Sequence, residues 1–374
     1  MSSAPAPLSG LRILELAGIG PGPFCGMMLA DHGAEVIRVV RPGSGGGVSD
    51  DARDPLLRSR RTIALDLKKP EAVAAVRRIA ATCDGLIEGF RPGVMERLGL
   101  GPDVLIGDNP KLVFGRMTGW GQTGPLASEP GHDIDYIAIS GTLHAIGDAG
   151  GKPVAPMNLV GDFGGGGMML AFGMLAAMLQ AKTTGVGQVV DCAMTDGSAV
   201  LTSMIWGMRG QGRWGDRRGT NLLDGGAHFY DTYETADGKW LAVGAIEPQF
   251  YAALRRVMGL DGAEWDAQFV PSGWPALKQE LVVRFKQRSR DEWVAAFEGH
   301  EACVAPVLDF EEATQHPHNV ARGTFVTAGG IVQPAPAPRY SVSETVPPQM
   351  GARDEGAAIL AEAGLSEDEI AALI

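Results

Sequence analysis

The feature that most constrains the fold is a strand–loop–helix–strand unit near the start of the chain. The apolar run LRILEL at Leu11–Leu16 reads as a buried strand. A Gly/Pro loop, GIGPGP at Gly18–Pro23, follows it. The pattern then predicts a helix over Phe24–Asp31 and a second strand, EVIRVV, over Glu35–Val40. Units of this kind build parallel sheets. The alternation continues with strand-like Arg61–Leu67, a helix over Pro70–Thr82 that starts on Pro, and a short strand at Gly85–Glu88. Further strands are expected at Leu112–Arg116 and Gln188–Ala193, and the glycine run Gly164–Gly167 opens a helix over Met168–Gln180.

The pattern changes near residue 225. DGGAHFYDTYETADGKWLAVGAIE alternates apolar and polar positions around a DG turn at Asp237–Gly238, which signals an antiparallel hairpin. Helices are expected around Pro248–Met258, Trp274–Gln287 and Asp291–Phe297. The reading is an α/β protein with a large Rossmann-like parallel-sheet domain, residues 1–200, completed by 326–374. A linker at 201–224 leads to a smaller α+β domain at 225–325. The segment QPAPAP reads as Pro-rich linker or extended chain, and a helix expected over Asp354–Gly364 precedes a short acidic one capped near Ser366.

Composition excludes several function classes. The 374 residues carry a formal net charge of −12, which argues against nucleic acid and anionic membranes as general partners. Cys25, Cys83, Cys192 and Cys303 form no CxxC pair, so neither a metal site nor a redox motif is expected. The N-terminal MSSAPAPLSG has no secretory pattern, and no uninterrupted apolar run approaches the ~20 residues of a membrane span. A cytoplasmic location is the expectation.

The GIGPGP loop is similar to the start of a dinucleotide fingerprint, but the third glycine position is Pro23 and the second strand ends in arginines. A standard NAD site is therefore not expected; an NADP site is less excluded, because arginine can accept a 2′-phosphate, and no cofactor is assigned. Arg38, Arg41, Arg58, Arg60, Arg61, Lys68, Lys69 and Arg91 in GFRPG form a basic group in an acidic chain. It can clamp a multiply charged phosphate ligand, or it can be a solvated rim of the sheet. Both readings stay open at this point.

Two Gly-flanked residues thirty positions apart carry the chemistry. They are His132 in GHDIDYIAISG and Asp162 in NLVGDFGGGGMML. An imidazole and a carboxylate on opposite sides of one carbon can remove a proton from one face and return it to the other. The glycines let a ligand approach the backbone closely. Amides at the start of the Gly-run helix can also donate to an oxyanion, although close helix packing explains the same glycines.

With these residues in view, the chain resembles the class III CoA-transferase family, and within it the α-methylacyl-CoA racemases. The matching stretches include LAGIGPGPFCGMMLADHGAEVIRVVRPGS, EGFRPGVMERLGLGP, GHDIDYIAISG, NLVGDFGGGG, LDGGAHFYDTY and TADGKWLAVGAIEPQFY. The resemblance implies an interlocked homodimer, no tightly bound cofactor, and an acyl-CoA thioester substrate with a methyl branch at the α-carbon. It implies His132 and Asp162 as the two bases and Glu247 as the acid that orients the His. It places CoA contacts at Arg38, at Leu65, Asp66, Leu67 and Lys68, and at Gly89, Phe90 and Arg91. Further contacts fall on Gly131, Asp133, Ile134, Asp135 and Tyr136. Asn158 matches a supporting polar position. Where such racemases read HDINY this chain reads HDIDY, so Asp135 adds a carboxylate beside the base.

In this reading inversion proceeds by 1,1-proton transfer through an enolate. Met168 and Met169 can line an adaptable acyl surface. The alternative is a class III CoA transferase in which Asp162 is the nucleophile, forming an anhydride and then a thioester. A non-enzymatic CoA-binding protein is a third possibility, which the combination of His132, Asp162 and Glu247 argues against.

Overall fold

The computed structural model describes residues 4–43, 53–351 and 353–374. Ser44, at the end of the first matching stretch, lies outside the described residues. The chain divides into two compact units, one of 1–140, 157–201 and 322–374, the other of 141–156 and 202–321. The stretch read as a linker at 201–224 contains the helix Ser203–Gly210, and 141–156 groups with the second unit.

The first unit is built on a seven-stranded sheet. Its strands are β1 (Arg12–Leu16), β2 (Glu35–Val40), β3 (Arg60–Ala64), β4 (Gly85–Glu88), β5 (Val113–Thr118) and β6 (Val189–Ala193), with Arg353–Asp354 added at the β3 edge. The order from that edge is β3-β2-β1-β4-β5-β6, and every pairing is parallel. The α/β class and the parallel sheet are those the sequence pattern leads one to expect.

Strand period two explains the layers. Leu14, Ile37 and Phe114 point to one face and pack with Ala75, Val76 and Ile79 of α2 (Pro70–Ala80) and with Ile359 and Leu360. Ile13, Val36 and Val113 point to the other and pack with Leu29 of α1 (Pro21–Asp31) and with Leu170, Met174 and Met178. Both faces are covered, so the strands are near-continuous apolar runs. The helix α1 starts earlier than the sequence suggests because Pro21 occupies its first turn, where a missing N–H costs nothing.

The Gly-run helix differs more. Residues Leu159–Met168 are π-helical and run directly into the α-helix Met169–Thr184. The combined Leu159–Thr184 helix is, by length and composition, long and apolar enough to cross a membrane, contrary to the expectation from run length. One face of it is core, through Leu170, Ala171, Met174, Ala177, Met178 and Ala181. Phe172 and Leu179, by contrast, are 72% and 69% exposed.

The second unit carries a three-stranded antiparallel sheet of Tyr230–Glu234, Trp240–Gly244 and Val304–Val307. The hairpin turns at Gly238, whose φ of +75° suits glycine. Phe229, Tyr233, Trp265, Phe285 and Trp293 form its core with the helices Pro248–Met258, Trp274–Phe285 and Arg290–Phe297.

Candidate active site

In open parallel sheets, ligands bind outside the carboxyl ends of the strands, where the strand order reverses. Here β1 is flanked by β2 on one side and β4 on the other, so the reversal lies between β1 and β4. A cavity of about 920 Å³ opens at this place. Its wall comes from Leu16–Pro23 after β1, Arg38 on β2, Gly89–Pro92 after β4 and Met117–Trp120 at the end of β5. Gly131, His132, Tyr136, Asn158, Asp162 and Phe163 also line it, as do Asp54 and Glu129, all within the first unit.

His132 caps the helix Asp133–Ile139 in extended backbone and is exposed. Asp135 accepts a hydrogen bond from the His132 N–H at 2.9 Å, so the carboxylate that departs from HDINY caps the helix reciprocally. The rest of the helix start is fixed by Tyr136. Its hydroxyl donates to the Gly131 carbonyl, and its ring meets Trp120 edge-on at 4.7 Å. Burial pushes the Tyr136 phenol up to about 12.

Asp162 is half-buried on the π-helical segment. Asn158 Nδ2 donates to its Oδ2 at 3.0 Å, and its own N–H donates to Asp133 Oδ1 at 2.6 Å. Burial raises its proton affinity; the Asn158 hydrogen bond opposes this, the Asp133 charge adds to it, and His132 opposes. Gly20 lies against the carboxylate: it has φ +65°, and a Cβ there would sit 3.0 Å from Asp162 Oδ2. Phe163 packs on Phe24 with ring centres 4.7 Å apart. The GIGPGP loop, whose likeness to a dinucleotide fingerprint fails at Pro23, serves at Gly20 to make room for a carboxylate.

The glycine run does not supply an oxyanion-binding helix start. It lies inside the π-helical segment, so its amides belong to that helix rather than to its first turn. The glycines serve packing: a Cβ on Gly165 would fall 2.6 Å from Ser198 N, and one on Gly167 would fall 2.7 Å from the Pro21 carbonyl oxygen.

The basic group separates into parts. Arg38 lines the cavity and pairs, Nε to Oε1 at 3.6 Å, with the fully buried Glu15 directly opposite it on β1. Arg60 holds the other Glu15 oxygen at 3.0 Å. Arg58 is buried against Asp31 and Gln333, and Arg61 pairs with Glu35, Glu355 and Glu362. These last three arginines are structural ties rather than a clamp or a solvated rim. Arg91 is exposed at the cavity wall; its carbonyl accepts the Val94 N–H, while its guanidinium has no hydrogen-bond or ion-pair partner among the described residues. The Gly89–Arg91 loop is held by Glu88, buried at the end of β4, which accepts the Phe90 N–H at 2.7 Å and lies 3.2 Å from Arg116. Sequence reading missed Glu88, whose position at a strand end resembles any other.

Several residues expected at the site lie outside the cavity wall. Leu65 is core, Leu67 packs against it, and Asp66 accepts the Lys68 N–H at 3.2 Å in the turn after β3. Asp133 is buried beneath Asp162, while Ile134 and Asp135 are exposed elsewhere. Met168 is exposed and Met169 packs on the core, so neither lines the cavity. Glu247 is the exposed N-cap of Pro248–Met258 in the second unit. Among the described residues, no group of three His, Cys, Asp or Glu side chains is arranged to hold a metal.

Comparison with known proteins adds an independent line. The family model for CoA-transferase family III matches residues 8–353. The chain is 47% identical over 369 residues to the alpha-methylacyl-CoA racemase of Mus musculus, covering 97% of this chain and 95% of that one. It is 46% identical to the alpha-methylacyl-CoA racemase of Homo sapiens with the same coverage. Among solved structures, a CAIB/BAIF family protein from Brucella suis superposes with a TM-score of 0.82 at 25% identity, covering 96% of this chain and 100% of the other. A family match from strand β1 to the last strand of the sheet, together with relatives matched over nearly their whole length, places this chain in CoA-transferase family III.

Proposed function

We propose that this protein is a racemase that inverts the α-carbon of 2-methylacyl-CoA thioesters. The observation that carries the proposal is the convergence of His132 and Asp162 on one cavity at the switch point of the sheet. The names of the relatives at 47% and 46% identity support the same substrate class.

The chemistry balances without an oxidant or a metal. Neutral His132 takes the α-proton; the C–H electron pair becomes the enolate double bond as the thioester C=O pair moves onto oxygen. Asp162, protonated in this half-cycle, gives its proton to the opposite face, re-forming C–H and C=O. For the other epimer the roles reverse. Burial favours the protonated carboxyl, which suits Asp162 to the donor role. Arg91, exposed at the wall, and Arg38 supply positive charge for CoA phosphates. Glu247 is assigned as the acid that orients His132, on the resemblance alone. The exposed Phe172 and Leu179 opposite a core face suit cover by a second copy of the chain, so we assign a homodimer.

Proton NMR in deuterium oxide tests the reaction. With a pure 2-methylacyl-CoA epimer and no acceptor acid, the α-hydrogen should exchange and the sample should converge on a near-equal mixture. Turnover only after a free carboxylic acid is added would instead establish transfer through Asp162.

A further inference from the structure

The two proposed bases belong to separate stretches of chain, and one buried side chain joins them. Asp133 follows His132 directly and opens the helix that His132 caps. It is 7% exposed and does not line the cavity. Its Oδ1 accepts the Asp162 N–H at 2.6 Å. Gly161 is shaped to this contact, since a Cβ there would lie 2.4 Å from the same oxygen. The other oxygen, Oδ2, is buried and has no hydrogen-bond partner among the described residues. A neutral amide would accept the Asp162 N–H equally well, and burying a half-satisfied carboxylate is costly. The charge itself therefore needs a reason.

We propose that Asp133 is a positioning residue that ties the Asp162 main chain to the helix start under His132 and whose negative charge sets how tightly Asp162 holds its proton. The proposal rests on the reading of Asp162 as a proton carrier. A base that must arrive protonated in one half-cycle gains from a fixed like charge nearby. The other groups acting on the Asp162 carboxyl are few. Asn158 donates to it, His132 opposes its protonation, and the Tyr136 phenol feels its charge. The neighbouring α1 presents Gly20 and Pro21 at this point, and its lone ionised residue, Asp31, is tied to Arg58. In the packed helix Met194–Leu201 the ionisable group is Asp196, which acts on Cys192.

The test compares Asp133→Asn and Asp133→Ala with the intact protein. α-Deuterium exchange is measured on each pure epimer across pH, with KM and kcat separated. Asp133→Asn keeps the acceptor and removes the charge. The pH limb of the epimer deprotonated by Asp162 should move to lower pH while KM holds. Asp133→Ala also frees the main chain, and kcat should fall about 10–100-fold with little change in KM, the scale of a small misplacement. Carbon NMR of the Asp162 carboxyl gives a readout that does not depend on the reaction. It should titrate at lower pH in Asp133→Asn whether the site racemises or transfers. Absence of exchange in the unmodified protein would sink the racemase reading alone. An unmoved Asp162 titration in Asp133→Asn, or a raised KM with unchanged kcat in Asp133→Ala, would overturn the role given to Asp133.

Discussion

Gly119→Ala is the substitution whose cost the structure sets out most directly. A Cβ at this position would lie 2.0 Å from Tyr136 Cε1, 2.1 Å from Cζ and 2.6 Å from the hydroxyl. Carbon atoms in contact sit about 3.5–4.0 Å apart, so the ring must retreat by roughly 1.5 Å. The ring cannot retreat freely, because its hydroxyl is bonded to the Gly131 carbonyl and its edge meets Trp120. Losing the hydrogen bond costs about 1 kcal/mol and losing the aromatic pair about 0.5–1.5 kcal/mol. Overpacking alone costs about 1–3 kcal/mol, and because the terms overlap we expect about 3 kcal/mol in total. Tyr136 is on the helix that His132 caps, so α-proton exchange should fall about tenfold as well, a loss of about 1.4 kcal/mol in barrier terms. Urea unfolding of a double-mutant cycle with Tyr136→Ala is the assay. Removing the ring opens the space, so Gly119→Ala should cost less than about 0.5 kcal/mol in that background. An equal cost in both backgrounds, or a single mutant as stable as the parent, would refute the steric argument.

Three further outcomes are expected. Arg91→Ala should raise KM for the CoA thioester more than it lowers kcat, by about 1.5–3 kcal/mol of lost charge-assisted binding, and should flatten the salt dependence; unchanged KM would remove Arg91 from the phosphate site. His132→Ala and Asp162→Ala should each lose about 10²–10⁴-fold in exchange from opposite epimers, and equal losses from both epimers would exclude a two-face mechanism. Burial pushes the Glu88 carboxyl from its ordinary 4.5 up to about 7. The folded-state value is the higher one, so the stability this group contributes is full below 4.5 and is lost as pH rises through about 7. Glu88→Gln keeps an acceptor for the Phe90 N–H, so across that window the parent should lose stability relative to the variant. Parallel unfolding curves against pH would show that Glu88 is not buried in this way.

Much of the architecture was legible because it is local. The strands Glu35–Val40 and Gly85–Glu88 and the helix Pro248–Met258 stand where periodicity and flanking residues place them. His132 and Asp162 could be singled out because glycines mark positions where something approaches the backbone. The same local rule misjudged the Gly164–Gly167 run. Glycine permits both a ligand and another helix to come close, and only the helices Pro21–Asp31 and Met194–Leu201 packed against it decide between them. The basic group shows the limit more clearly. Arg58, Arg61 and Arg91 carry the same charge in the sequence. Arg58 is bonded to Gln333, 275 positions away, and Arg61 to Glu362, 301 positions away, while Arg91 is left at the cavity wall. Asp133 was read as a ligand contact beside His132, yet it is buried under Asp162. Most strands and helices follow from interactions among residues near in sequence, so the sequence by itself determined them, and it was enough to single out His132 and Asp162 as the proposed bases. Which charge is spent inside the protein and which faces the ligand depends on partners that only the packed sheet brings together, and that was decided by the tertiary structure.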